Sequence, residues 1–361
     1  MLLAHIREHI AQSGGWISFA DYMALCLYAP ALGYYMAGAR KLGAEGDFIT
    51  APELSPLFGQ CLAQWLMRSD GVMHPDSDGI LEIGAGTGVL AAAMLEELEQ
   101  QQALPARYFI LELSADLRQR ARDTLAARVP HLLERVTWLN QLPPQFKGLV
   151  LGNEVLDAMP VHLLARVQGQ WHERGVVWSP AAQRLVFADR PTTLAPPLPI
   201  EGTHDYCTEL HAQAEAFMRT VADRLHAGLA LFIDYGFPES EYYHPQRHMG
   251  TLVCHRAHQT DSDPLVNVGA KDITAHVNFT GIALAAQDAG LPTLGYTSQA
   301  RFLMNCGLVN WMADADLRGR ADALKLITEH EMGELFKVIA LSPAADWTPL
   351  GFVQGDRTHT L

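Results

Sequence analysis

Apolar and polar positions along the chain form blocks that predict strands followed by helices. Residues 80–83 are mostly apolar and predict a short buried strand, and residues 89–98, rich in Ala, Leu, Met and Glu, predict a helix directly after it. Further apolar runs that predict strands lie at residues 108–112, 136–139, 149–151, 228–236, 292–296 and 335–341. The run at 149–151 is wholly apolar, as in parallel strands buried on both faces. The pattern therefore predicts an α/β fold.

Residues 1–78 predict an N-terminal cover of helices and loops that precedes the main domain at 79–361. The first apolar positions are spaced for one helix face: Leu2, Leu3, Ile6 and Ile10. Ser18, with Asp21 three residues later, resembles a capping box and predicts a second helix. Ser55 precedes a proline and predicts the start of a third helix.

Two segments interrupt the predicted main domain. Short apolar runs separated by turn residues predict an antiparallel meander in an insertion at about 161–227. The polar, aromatic and histidine-rich segment at about 237–271 predicts a mobile lid. Its histidine pairs lack a Cys or Glu partner at a known spacing, so no metal site is predicted. Helices are predicted at 209–226 and 273–289, the second capped by Asp272.

A glycine-rich turn joins the strand at 80–83 to its helix. The candidate binding residues of this turn and its strand are Glu82, Gly84, Ala85, Gly86 and Gly88. Glycines between a strand and a helix allow a ligand to approach the backbone next to the helix N-terminus. The spacing differs from the dinucleotide fingerprint, because Val89 stands where the third glycine would be. The alternative is that the glycines serve only helix packing on the sheet.

Two later strand ends carry further candidates for the same ligand. Glu112 ends the strand at 108–112, where a carboxylate in a βαβ unit accepts hydrogen bonds from ribose hydroxyls. The alternative is an acid placed favourably at the start of the next helix, although Ser114 already serves as its cap. Leu139 ends the strand at 136–139, where an adenine ring would lie.

The candidate reaction residues follow the strand at 149–151. Asn153, Glu154 and Asp157 emerge at the carboxyl end of that strand, where open α/β sheets bind ligands. A helical turn there would place Glu154 and Asp157 on one face, as a pair able to bind a guanidinium through charged hydrogen bonds. The alternative is a helix N-terminus that merely carries acids.

Composition narrows the possible partners. The chain has 361 residues and a formal net charge of -14, from 40 acidic and 26 basic residues. Binding to duplex nucleic acid is therefore not expected, whereas a basic protein segment would suit the charge. The five cysteines are scattered and odd in number, which favours a reducing, cytoplasmic location. No apolar run approaches the roughly 20 residues of a membrane span, and the N-terminus has no signal-peptide layout.

Several of these segments resemble the MidA-like methyltransferases, a family found in bacteria and mitochondria. The similar segments lie at 46–53, 81–88, 108–113, 152–160, 233–236, 241–251 and 272–280, so the resemblance spans about residues 17–341. It implies a class I, Rossmann-like methyltransferase with a seven-stranded sheet and S-adenosylmethionine (SAM) as cofactor. Mitochondrial members act in complex I assembly and are assigned methylation of protein arginine. The resemblance thus implies a protein substrate, with a respiratory-complex subunit as the candidate.

Position at the carboxyl edge of the sheet, together with this resemblance, places residues around a substrate. Asn153, Glu154 and Asp157 are the expected catalytic residues, the carboxylates orienting a guanidinium and accepting its proton. Additional substrate or lid residues are expected at Asp47, Thr50, Pro52, Asp234, Tyr235, His276 and Asn278. For Asp47 and Thr50, hydrogen bonds to local backbone in a turn are the simpler explanation from the residues alone.

Two other functions compete with the methyltransferase. A nicotinamide-dependent oxidoreductase could use a similar sheet, but the missing third glycine speaks against it. An assembly factor that binds SAM without catalysis would carry the same motifs, since binding and chemistry are separable.

Overall fold

The computed structural model describes residues 1–37, 49–69, 76–257, 259–344 and 348–361. The α-helices of these residues are α1 (Leu2–Gln12), α2 (Phe19–Tyr28), α3 (Ala51–Leu54), α4 (Pro56–Met67), α5 (Val89–Gln100), α6 (Ala115–Arg128), α7 (Ala212–Arg224), α8 (Glu239–Tyr242), α9 (Phe279–Asp288), α10 (Gln299–Asn305), α11 (Leu308–Asp314) and α12 (Leu317–Ile327). The strands are β1 (Ile17–Ser18), β2 (Gly79–Ile83), β3 (Tyr108–Leu111), β4 (Val136–Leu139), β5 (Phe146–Asn153), β6 (His162–Val167), β7 (Gln170–Ser179), β8 (Arg184–Pro191), β9 (Tyr206–Leu210), β10 (Leu225–Phe237), β11 (Val253–Arg256), β12 (Gln259–Asp261), β13 (Asp272–Thr274), β14 (Val277–Asn278), β15 (Thr293–Ser298) and β16 (Phe336–Leu341).

The central sheet has the strand order β15-β16-β10-β5-β2-β3-β4. The five strands from β4 to β10 pair in parallel, and β16 pairs antiparallel with both β10 and β15. This continuous path confirms the predicted seven-stranded sheet. The two-residue strand β14 also pairs with β10, so the complete sheet has eight strands.

Alternating side chains of the apolar strands serve two cores, one on each face of the sheet. Leu149 and Leu151 of β5 pack in one core with helices α4 and α5. Val150, between them, packs in the other core with α7 and α9. Because both faces of β5 are covered, its near-continuous apolar run is the pattern expected of a parallel strand.

The N-terminal helices and the insertion share a third core. Strand β7 pairs with β1, β6 and β8 in a five-stranded antiparallel sheet that also contains β9. Ile6 of α1 and Phe19 of α2 pack against Leu163 of β6 and Val176 of β7. The predicted meander is present. The helix predicted at 209–226 begins only at α7, because the preceding residues pair with β6 as strand β9.

The segment after residue 270 differs from the prediction of one helix at 273–289. Asp272 lies at the start of strand β13, which pairs with β11, and does not cap a helix. The helix is α9, and its cap is Asn278, whose Oδ1 accepts the N–H of Gly281 at 3.2 Å. Pairing with β11, distant in sequence, outweighs the local helix signal. Among the described residues, no helix is both long and apolar enough to cross a membrane.

Candidate active site

A cavity of about 940 Å³ lies at the carboxyl ends of β2, β3, β5 and β10. This size is in the range of ligand-binding pockets. The predicted site residues that line it are Thr50, Pro52, Glu82, Gly84, Ala85, Gly86, Glu112, Asn153, Glu154, Asp157, Tyr235 and His276. The fold thus brings together candidates from separate segments of the chain. Val253, His255 and Thr260 of the predicted lid segment also line the cavity, and the role of that segment as a lid stays a prediction.

Four predicted residues do not line the cavity. Gly88 begins α5 with φ +78°, and a Cβ there would lie 2.8 Å from the Cα of Ala121 in α6, so it serves helix packing. Leu139 packs against the core formed with α7 and α9. Asn278 caps α9, as described above. The fourth is Asp234, described below. Asp47 lies outside the described residues.

Asp234 is fully buried and supports the site from behind. Its Oδ2 accepts the backbone N–H groups of Val155 (3.1 Å), Leu156 (2.9 Å) and Asp157 (3.2 Å). Its Oδ1 accepts the N–H of Tyr235 at 3.0 Å. This position argues against the predicted contact with substrate, because Asp234 is buried outside the cavity lining and its carboxylate holds the backbone of the turn that carries Asp157.

The glycine turn adopts conformations that favour glycine. Gly84 and Gly86 have φ values of +68° and +56°. The N–H of Gly86 donates to Glu112 Oε2 at 3.1 Å, and the N–H of Ser114 donates to Glu112 Oε1 at 2.9 Å. Burial raises the pKa of Glu112, and these two N–H groups oppose the rise. A carboxylate has about four lone-pair sites, so Glu112 can still accept hydroxyl donors from a ligand.

Glu82 lies behind this turn. The hydroxyl of Tyr108 donates to Glu82 Oε2 at 2.7 Å. Burial raises the pKa of Glu82 to about 7, and the nearby charge of Glu112 acts in the same direction. A cation bound in the cavity would favour the ionised form of Glu82.

The acidic residues after β5 lie in a non-helical turn, so the predicted helical turn is wrong. Glu154 has φ +53°, and its N–H donates to the carbonyl of Ile233 at 2.8 Å. Asn153 Nδ2 donates to Glu154 Oε1 at 3.2 Å, and the hydroxyl of Tyr235 donates to Asp157 Oδ2 at 2.6 Å. The ends of β5 and β10 thus hold both carboxylates at one cavity. The two acids were expected to lie together on a helical turn, whereas a non-helical turn brings them together.

Burial shifts the titration of these two acids. It raises the pKa of Glu154 to about 8, and the charge of Asp157 adds to the effect. Burial also raises the pKa of Asp157 to about 6, and the hydrogen bond from Tyr235 partly offsets this rise. Both groups therefore titrate near neutral pH, where a general base is most effective. Burial also lowers the pKa of His276 to about 4, so its ring is neutral at pH 7.

Two buried oxygens of the site lack hydrogen-bond donors within the described residues, Asn153 Oδ1 and Asp157 Oδ1. Buried acceptors in folded proteins are normally satisfied, so a ligand that donates hydrogen bonds would suit this side of the cavity.

The cavity is also acidic. Its described lining contains Glu53, Glu82, Glu112, Glu154, Asp157 and Asp272, but no Lys or Arg. The site is therefore built for a positively charged ligand that donates hydrogen bonds.

Sequence reasoning missed several lining residues. The hydroxyl of Tyr35 donates to both oxygens of Asp272, at 2.9 and 2.8 Å. The hydroxyl of Tyr28 donates to the carbonyl of Ala158 at 2.9 Å, and its ring stacks on Tyr35 at 5.6 Å. Tyr28 ends helix α2, and Tyr35 follows in a segment without a periodic pattern. Their hydrogen-bond partners are far along the chain, so no local signal identified them.

The fold and the site together define a class I methyltransferase that uses SAM. Three features match the charge and donors of that cofactor. They are the glycine turn after β2, the Glu112 carboxylate after β3, and an acceptor after β5 that has no donor among the described residues. Among the described residues, no three His, Cys, Asp or Glu side chains are grouped to hold a metal ion.

Comparisons with known proteins identify the family. Residues 60–297 match a family model described as "Putative S-adenosyl-L-methionine-dependent methyltransferase". The mitochondrial protein arginine methyltransferase NDUFAF7 homolog of Drosophila melanogaster is 31% identical, over 95% of this chain and 85% of the relative. A crystal structure from Burkholderia thailandensis, bound to S-adenosyl-homocysteine (SAH), has 48% identity and a TM-score of 0.93, covering 100% of this chain and 96% of that one.

A second, native structure from Burkholderia thailandensis has 47% identity and a TM-score of 0.91. The chain belongs to the MidA-like family of SAM-dependent methyltransferases. This confirms the predicted family and cofactor, and it favours the methyltransferase over the nicotinamide oxidoreductase.

Proposed function

We propose that the protein transfers a methyl group from SAM to an arginine side chain of a protein substrate. The observation that carries this proposal is the wall of buried carboxylates, in which Asp157 Oδ1 lacks a donor within the described residues. A guanidinium is planar, positively charged and carries five N–H donors, so it complements such a wall. The Drosophila melanogaster relative is named a protein arginine methyltransferase, which supports arginine as the acceptor.

The cofactor side of the cavity would hold SAM, which supplies the electrophilic methyl group when bound. Glu112 would accept the ribose hydroxyls, and the backbone of Gly84–Gly86 would approach the methionine portion. Asn153 Oδ1 would accept a hydrogen bond from the cofactor or the acceptor. Leu139 packs in the core, so it is left out of the proposed adenine contact.

On the acceptor side, Glu154 and Asp157 would orient the guanidinium and accept its proton. Arginine has a pKa above about 12, so its nitrogen must lose a proton around the time the new bond forms. The raised pKa values of both acids, about 8 and about 6, make each a competent proton acceptor near neutral pH. Alignment of the reacting atoms can contribute roughly 7–11 kcal/mol, so orientation by the two acids is as important as basicity.

Transfer from radiolabelled SAM to a cell lysate tests the proposal, with amino-acid analysis of the labelled proteins. Glu154→Gln and Asp157→Asn should each lower transfer by about 10²–10⁴-fold while SAH binding, measured by calorimetry, stays close to that of the unmodified protein. Glu134→Gln, at an exposed site away from the cavity, is the matched control. Label on residues other than arginine, or turnover that survives both substitutions, would contradict the proposal. SAH binding without any transfer would favour a non-catalytic assembly factor.

Two finer points belong to the same proposal. The protein acceptor is a respiratory-complex subunit, as the resemblance of the motifs implies. The enzyme works in the cytoplasm, where the five cysteines, all free in the described structure, would stay reduced. Identification of the labelled protein and fractionation of cells address the two points separately.

A further inference from the structure

His276 lines the cavity, but none of the roles proposed above uses its side chain. Its ring packs edge-to-face with the ring of Tyr235, with the centroids 5.0 Å apart, and lies parallel to the ring of Phe237 at 5.4 Å. Its Nδ1 lies 3.3 Å from the carbonyl oxygen of Thr251. Three separate contacts therefore hold the imidazole in one orientation.

The contact with Thr251 also determines which ring nitrogen carries the hydrogen. A carbonyl oxygen only accepts, so Nδ1 is the donor, and Nε2 of the neutral ring keeps its lone pair. Burial lowers the pKa of His276 to about 4, which keeps the ring neutral at pH 7. Nε2 makes no hydrogen bond with the described residues and is not buried within the protein. Because the ring lines the cavity, an unused acceptor is open there.

Two links place this acceptor beside Asp157. The backbone N–H of Ala275, the residue before His276, donates to the carbonyl of Asp157 at 3.0 Å. Tyr235, whose ring contacts His276, donates its hydroxyl to Asp157 Oδ2 at 2.6 Å. The imidazole and the carboxylate therefore belong to one side of the cavity, the side to which the acceptor is assigned above.

The segment that holds His276 is anchored to the insertion. Thr251 Oγ1 accepts the backbone N–H of His276 at 3.1 Å. Glu209, in strand β9 and fully buried, accepts the N–H of Thr251 at 2.9 Å and that of Leu252 at 3.1 Å through Oε1. Its Oε2 accepts the hydroxyls of Thr251 at 3.1 Å and Tyr242 at 2.7 Å. With four donors the buried carboxylate is well satisfied, so it is a firm support for Thr251.

We propose that Nε2 of His276 accepts a hydrogen bond from the guanidinium of the acceptor arginine, beside Asp157, and that Thr251 is a positioning residue that holds the imidazole for this contact. A guanidinium has five N–H donors, and a neutral acceptor satisfies one of them without adding negative charge to an acidic cavity. Glu154 and Asp157 remain the proton acceptors. This inference rests on the proposed function only in taking the acceptor to be a guanidinium.

Two substitutions separate the lone pair of His276 from the shape of its ring. His276→Phe keeps an aromatic ring without an acceptor, whereas the side-chain carbonyl in His276→Gln can replace Nε2. With the protein acceptor limiting, transfer to arginine should fall by about 10–100-fold in His276→Phe, the range for one hydrogen bond to a charged group, and by less than about fivefold in His276→Gln. SAH affinity, measured by calorimetry, should change by less than about threefold in both. Equal losses of transfer in the two variants, or an equally large loss of SAH affinity, would overturn the proposal.

The positioning role of Thr251 is tested with Thr251→Val, which removes the hydroxyl at nearly constant shape, and Thr251→Ser, which retains it. Thr251→Val should lower transfer by about tenfold, and Thr251→Ser should keep most of the rate. In the His276→Phe background, Thr251→Val should cause little further loss, because Thr251 acts through His276. Additive losses in that double variant would overturn the positioning role.

Nitrogen-15 NMR of the histidine side chains tests the contact without catalysis. The probes are N-acetylarginine amide and, as a control, N-acetyllysine amide, each titrated to saturation into the protein with SAH bound. The Nε2 signal of His276, assigned by its absence from His276→Gln, should be that of an unprotonated nitrogen. It should shift with the arginine probe and much less with the lysine probe.

The outcomes of this titration separate the contact from the function on which it rests. A protonated Nε2, no shift with the arginine probe, or equal shifts with both probes would overturn the inference, even if arginine methylation were established. A shift specific to the arginine probe without methyl transfer to arginine would instead overturn the proposed function and support the contact.

Discussion

Glu154 should make the free protein less stable as pH rises, and Glu154→Gln should remove that dependence. Burial raises the pKa of Glu154 from 4.5 to about 8 in the folded chain. The folded state therefore binds this proton more tightly than the unfolded state does. The contribution to stability is fully present below pH 4.5 and is lost progressively as pH rises towards 8. Because Gln does not ionise, the variant has no such loss.

The size of the effect follows from the same pKa values. Between pH 4.5 and pH 7, each pH unit costs the unmodified protein about 1.4 kcal/mol, so the cost reaches about 3 kcal/mol at pH 7. The free energy of unfolding of Glu154→Gln should therefore rise by about 3 kcal/mol relative to the unmodified protein over this interval. A carboxylate kept for a cationic ligand thus lowers the stability of the free protein.

Urea denaturation of both ligand-free proteins at pH 5, 6, 7 and 8, followed by circular dichroism, measures this difference. Glu134→Gln, at an exposed position, should run parallel to the unmodified protein throughout. A difference between Glu154→Gln and the unmodified protein that stays constant from pH 5 to pH 8 would refute the reasoning, because Glu154 would then titrate alike in the folded and unfolded chains.

Three further predictions address packing, proton transfer and cofactor binding. Gly88→Ala should destabilise the protein by about 2 kcal/mol or more, because a positive φ is combined with a clash against α6. The control Gly14→Ala, at φ +75° with open space around it, should cost about 1 kcal/mol. Equal losses of stability in thermal denaturation would exclude the packing role of Gly88. Tyr235→Phe should raise the pKa of Asp157, because it removes a hydrogen bond to the ionised carboxylate. Methyl transfer should fall by roughly tenfold at pH 6 but much less at pH 8. Equal losses of activity at the two pH values would contradict this role of the Tyr235 hydroxyl. Glu112→Gln should weaken SAH binding by about tenfold in calorimetry, and unchanged affinity would argue against ribose binding.

Local signals in the sequence predicted the helix starts well. Ser18 accepts the N–H of Asp21 at 3.0 Å at the start of α2, as the capping box indicated. Ser55 and Ser114 likewise cap α4 and α6. Such caps depend on residues two or three positions apart, so their energy is contained in the local sequence.

The same reasoning failed where distant pairing competes with local preference. The helix predicted from residue 209 loses its first residues to strand β9, and Asp272 lies in a strand instead of at a helix start. In both cases, hydrogen bonds to a distant strand replace those of a helix turn. Neither the partner strand nor its register can be read from the segment itself.

For the site, the sequence by itself determined which strand ends carry chemistry. In a parallel sheet the carboxyl ends meet at one edge, so Glu82, Glu112 and Glu154 had to lie near one another. The tertiary structure alone decided which polar groups face the cavity and which are consumed as supports. Asp234 and Asn278 were predicted to lie at the substrate, but both side chains accept backbone N–H groups instead. Tyr35 and Asp272 line the cavity, although the sequence did not indicate them as site residues. The positions of the strands follow from short-range apolar patterns, but strand pairing, the direction of a side chain and its partners depend on packing between segments far apart in the chain.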